Sequence, residues 1–119
     1  MYYSESGKKQ RTTLTFNFDM TEVEKAGFTT DELLEDMRRY AKECDIKETA
    51  YGVFVKEGEH ALAMLYGYVV RKEDEEPDFI HYLTSWIADV GGNQEDCKAS
   101  ILKYRLKEKE EKNGKNEKY

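Results

Sequence analysis

The chain has 119 residues, 39% of them hydrophobic and 37% charged, with a formal net charge of −6. A length of this order suits one folded unit that buries roughly 65% of its unfolded surface, enough for a core without metal or disulfides. Nine Tyr, five Phe and one Trp exclude a wholly disordered chain, because such chains are poor in aromatics.

Charge is spread unevenly. Asp19 to Asp96 holds 20 acidic and 8 basic residues, a net of −12, whereas residues 97–119 hold 8 basic and 4 acidic ones, a net of +4. An acidic body repels nucleic-acid phosphates and favours basic partners. The opening "MYYSESGKKQRTT" lacks the apolar stretch of a secretory leader. The longest apolar run, "ALAMLYGYVV" at 61–70, is far short of the roughly 20 residues that span a bilayer. Two cysteines without an export signal read as reduced thiols, so a cytoplasmic protein without membrane contact is expected.

In chain order, residues 1–10 read as a flexible arm. "RTTLTFNFDM" (11–20) alternates, with Leu14, Phe16, Phe18 and Met20 on one side and Thr13, Thr15, Asn17 and Asp19 on the other. Period-2 alternation predicts a strand with one buried face. A short helix follows from Thr21 and stops at Gly27. Thr29 and Glu32 form a capping-box signature for a helix over 30–45. Leu33, Leu34, Met37, Tyr40, Ala41 and Cys44 share its apolar stripe, with Arg38, Arg39, Lys42 and Glu43 on the flank or far side.

"ETAYGVFVKEGEHALAMLYGYVVRK" predicts a hairpin turning at Gly58-Glu59, its second strand covering 60–71. Ala, Leu and Met also favour helix there, but the strand formers Tyr66, Tyr68, Val69 and Val70 favour the strand. Pro77 opens a helix over 78–90 that carries Phe79, Ile80, Leu83, Trp86, Ile87 and Val90 on one stripe. Gly91-Gly92 would end it, and His81 would face solvent. A last helix over 94–107, capped by Asn93, is favoured over a strand. The lysine- and glutamate-rich 108–119 reads as a disordered tail beyond a single domain of 11–107.

These elements assemble as an α+β, two-layer domain. The expected sheet has three antiparallel strands in the order 1-3-2, with helices packed on one face and the sequence strand–helix–helix–strand–strand–helix–helix. Its other face would carry Thr13, Thr15 and Asn17 beside Ala50, Gly52, Phe54, Ala63, Leu65 and Val69. Such a surface is too polar for a core and too apolar for plain solvent exposure, so it is a candidate partner or homodimer face.

Chemistry finds little foothold. Cys44, His60, His81 and Cys97 are separated by 15, 20 and 15 residues, whereas zinc sites supply ligands in close pairs. No nucleophile elbow, phosphate-cradling loop or paired-ligand motif is present, and no catalytic residue, metal or cofactor is expected. The "EDEE" at 73–76 reads as a solvated loop.

The expectation is therefore a small, acidic, non-catalytic protein that binds another protein with a basic surface. A specific form of it is an inhibitor competing with nucleic acid for a basic groove. Its candidate contact residues are Glu35, Asp36 and Glu43 on the 30–45 helix, and Phe54, Leu65 and Val69 on the open face. In general character such a chain is similar to accessory proteins of bacteriophages and mobile elements, although no motif carries the likeness. The alternative is a small homodimeric regulator whose basic C-terminal tail makes weak nucleic-acid contacts.

Overall fold

The computed structural model describes residues 10–117, with side chains described to residue 111. The expected flexible arm thus lies outside the described residues, apart from Gln10. Five strands and four helices follow in order: β1 (Arg11–Phe18), α1 (Met20–Lys25), α2 (Thr30–Glu43), β2 (Lys47–Ala50) and β3 (Val53–Glu57). Then come α3 (Ala61–Glu75), a 3₁₀ helix (Pro77–Tyr82), β4 (Leu83–Val90), β5 (Asn93–Asp96) and α4 (Cys97–Glu117).

The sheet is antiparallel with strand order β2-β3-β1-β4-β5. This α+β arrangement overturns the expected three-stranded sheet of order 1-3-2. β1 is the central strand, with Leu14 flanked by Phe54 and Ala88, and Phe16 by Trp86. These side chains face the helices and join Leu34, Met37 and Ala41 of α2, Leu65, Tyr68 and Val69 of α3, and Cys97 of α4 in one core. Trp86 is fully buried within an aromatic cluster, its ring centroid 5.3 Å from Phe16 and 5.5 Å from Phe79.

Three expectations fail for physical reasons. The segment 61–75 is a helix, because Ala61, Leu65, Tyr68, Val69 and Lys72 form one buried stripe of helical period. Its outer residues are apolar too, which gave the stretch the look of a strand buried on both faces. The segment 83–90 is a strand rather than a helix: Trp86 and Ala88 point to the core while Ile87 points away. A register shift beside Asn17 and Phe18 brings Leu83 into the core as well. Finally, Gly91 and Gly92 do not stop a helix. With φ of 58° and 98° they make the two-residue turn between β4 and β5, which closes the Val90–Asn93 pair.

The elements up to residue 45 and the last helix follow the sequence more closely. β1, α1 and α2 stand where alternation, Gly27 and the Thr29 signature put them. Both bonds of the capping box form, 3.1 Å from the Glu32 N–H to Thr29 Oγ1 and 2.9 Å from the Thr29 N–H to Glu32 Oε1. α4 is a helix, preceded by the short strand β5, and its backbone continues through the expected tail to Glu117.

β2, an edge strand exposed along its length, is held by Arg38 of α2. The Arg38 guanidinium donates to both Glu48 oxygens, at 2.8 and 3.1 Å, and to Asp31 at 3.0 Å. Glu48 also accepts the Gly52 N–H at 2.8 Å. Gly52 itself sits at φ 72°, and an added Cβ would come within 3.2 Å of the Phe16 carbonyl oxygen. Only glycine serves this β2–β3 turn without strain.

Candidate acidic groove

α2 and the end of α3 approach each other over the 3₁₀ helix, and a groove of about 520 Å³ opens there. Its apolar lining comes from Phe28, Leu33, Phe79 and Tyr82, and its polar lining from Glu32, Glu35, Asp36, Glu75, Glu76 and Asp78 against Arg39 and Lys72. Six carboxylates thus stand against two cations. Local chemistry explains each part. The capping box fixes the first turn of α2, where acidic residues suit the helix dipole. Pro77 opens the 3₁₀ helix directly after the acidic end of α3, and both line the groove with α2. Phe28 and Tyr82 meet edge to face at 5.6 Å and hold the aromatic side.

Lys72 shows what this groove does to a cation. Its side chain is only 5% exposed, with the ammonium 2.6 Å from Glu76 and 3.7 Å from Asp36, and 4.8 Å from the centre of the Phe79 ring. Carboxylates and an aromatic face compensate its desolvation. Asp36 is a junction: it accepts the Tyr68 hydroxyl at 2.9 Å and lies within 3.4 Å of Arg71 and 3.5 Å of Arg39. Burial, then the Asp36 charge, push the Tyr68 hydroxyl far above the ordinary tyrosine range.

The sequence-based candidates scatter. Glu35 and Asp36 line the groove together. Glu43 lies two turns further on, beside a depression of about 150 Å³ with Asp36, Arg39, Tyr40 and Arg71. Phe54, Leu65 and Val69 are in the core, at 0%, 1% and 5% exposure, and cannot meet a partner. The open sheet face exists, but it carries Thr13, Thr15 and Asn17 beside Val53, Val55, Ser85, Ile87 and Asp89. None of these joins the core cluster. Glu75, Glu76 and Asp78 were missed as site residues. Their acidic run was visible, but nothing local says that it returns to α2.

His60 and His81 are exposed, while Cys97 is buried. Burial, aided by Glu95 and Asp96, pushes the Cys97 thiol up to about 12, so it stays protonated at neutral pH and is a poor nucleophile. Among the described residues, no three His, Cys, Asp or Glu side chains come together as a metal site. No described helix is long and apolar enough to cross a membrane. No protein-family model, curated protein or solved structure matches the chain.

Proposed function

We propose that this is a non-catalytic binding protein whose acidic groove takes a basic segment of another protein. The observation that carries this reading is the groove's lining of six carboxylates and two cations around aromatic side chains. A lysine or arginine has the matching form: an apolar stem for Phe28 and Tyr82, and a cationic head for the rim. Lys72 already occupies such surroundings within the chain. Where the partner's basic surface is itself a nucleic-acid groove, occupation by this protein excludes the nucleic acid, since both present anions to the same cations.

The test is binding of a fluorescent oligo-arginine peptide to the full chain, compared with Glu35→Lys/Glu75→Lys/Asp78→Lys. Reversal should weaken binding at least about tenfold, equivalent to about 1.4 kcal/mol, and added salt should weaken the wild type. Equal binding by wild type and variant would remove the groove from the mechanism. A partner then purified from extract must also lose affinity for the same variant, after nuclease treatment, for the reading to extend to it.

A further inference from the structure

A different surface carries a second assignment. Within α3, residues 61–70 contain no charge at all, in a chain with 37% charged residues. Only one side of this run enters the core. Leu62 and Val70 are 40% and 66% exposed, and with half-buried Tyr66 they recur every fourth residue, a stripe drifting about 40° per step. On α4, Leu102 and Leu106 repeat the pattern at 41% and 60% exposure.

The two helices are neighbours. The Tyr66 hydroxyl donates to Glu95 at 2.6 Å just before α4 begins. Further along, Arg105 pairs with Glu73 and donates to the Pro77 carbonyl at 2.9 Å. Both stripes therefore border the seam between α3 and α4. Their charged surroundings are opposite in sign. Glu59 and Asp74 are exposed at the two ends of the α3 stripe. Lys103 and Lys109 flank the α4 stripe, against one carboxylate, Glu110.

We infer that this helical seam is a self-association surface whose occupant is a second copy of the chain. The α3 stripe of each copy lies on the α4 stripe of the other. A two-fold contact of this kind is self-complementary, as an isologous interface must be. It covers Leu62, Val70, Leu102 and Leu106 at once and brings Glu59 and Asp74 toward the partner's Lys103 and Lys109. It also explains the composition of α3, because a helix apolar all round belongs in an interior. The acidic groove, on the α2 side of α3, remains open in the pair, and the inference stands apart from the groove's proposed role.

The experiment is sedimentation of the full chain from micromolar to near-millimolar concentration. A reversible dimer is expected. Val70→Asp/Leu106→Asp should raise its dissociation constant about 100-fold or more, since both positions would be central to the contact. Circular dichroism should be unchanged, because both side chains are exposed in the single chain. Glu59→Lys/Asp74→Lys and Lys103→Glu/Lys109→Glu should each weaken the dimer, and combining all four should restore it in part. A monomer throughout the range overturns the inference. So does a dimer indifferent to Val70→Asp/Leu106→Asp, or one dissociated instead by Ile87→Asp on the open sheet face.

Discussion

α2 and α3 pack side by side on the same face of the sheet, yet they solve different problems. α2 is complete within one chain. It caps itself at Thr29, buries Leu34, Met37 and Ala41, and pairs its outer arginines with Asp31, Glu35, Asp36 and Glu48. α3 has no side-chain cap, buries an apolar stripe, and leaves Leu62 and Val70 in water. Its outward surface is what a helix presents when something else covers it. One helix is explained by this fold alone; the other leaves an apolar stripe that this fold does not cover.

The sharpest way to separate the two sides of α3 is to truncate one leucine on each. Leu65→Ala should cost about 3 kcal/mol, the usual loss for a fully buried leucine that leaves a cavity. Leu62→Ala should cost less than about 0.5 kcal/mol when unfolding is followed by urea at a protein concentration low enough for sedimentation to show a single chain. If Leu62→Ala is as damaging as Leu65→Ala in dilute solution, the outer stripe is part of the fold, and the comparison with α2 collapses.

The charged side of α2 can be probed through pH. Glu48 is held below the usual carboxylate range by the Arg38 guanidinium and then by the Gly52 N–H, and Asp31 by the Tyr51 hydroxyl and then by Arg38. A carboxyl whose folded pKa is lowered contributes stability above its unfolded pKa, near 4, and loses it as pH falls through the folded value. Screened by water on this exposed edge, Glu48→Gln should therefore cost about 0.5 to 1 kcal/mol at neutral pH. The difference from wild type should shrink toward zero in urea titrations below about pH 4. A gap that persists in acid would mean that Glu48 acts by packing, not by charge.

How far the sequence discloses this molecule follows the same divide. β1 and α2 are legible because each has one apolar and one polar side, so a single period describes it. α3 is not, because apolar residues on both sides erase its period and leave Tyr, Val and Ala, Leu, Met to argue opposite ways. β4 is misleading for another reason. The 3₁₀ helix places Phe79 and Ile80 in the core just before the strand, and the register shift admits Leu83. Added to Trp86, Ile87 and Val90, they imitate a helical stripe by coincidence. The Gly91-Gly92 turn was a local signal of the hairpin, open to a second reading as a helix stop. Of the groove, Glu35 and Asp36 stand out in sequence on a helix face. Glu75, Glu76 and Asp78 join them only because α3 ends where α2 begins, a fact of tertiary structure.

The smallest expected effect concerns the helix starts. Thr29→Ala should destabilise by about 1 kcal/mol, since it removes the side-chain bond to the Glu32 N–H. The reverse change on α3, His60→Ser, supplies a residue that favours helix starts. It should nevertheless gain less than about 0.3 kcal/mol, because backbone geometry decides whether a cap can form. Thr29 has the extended ψ of 158° that aims its hydroxyl at the first turn, whereas His60 has a ψ of 1°. α3 enters instead from the Gly58 bend, with the Ala61 N–H donating to the Gly58 carbonyl at 3.3 Å. Urea denaturation of the two variants beside wild type measures both. A gain for His60→Ser comparable to the loss for Thr29→Ala would show that α3 lacks a cap by residue choice. The expected asymmetry places the cause in the chain path between β3 and α3.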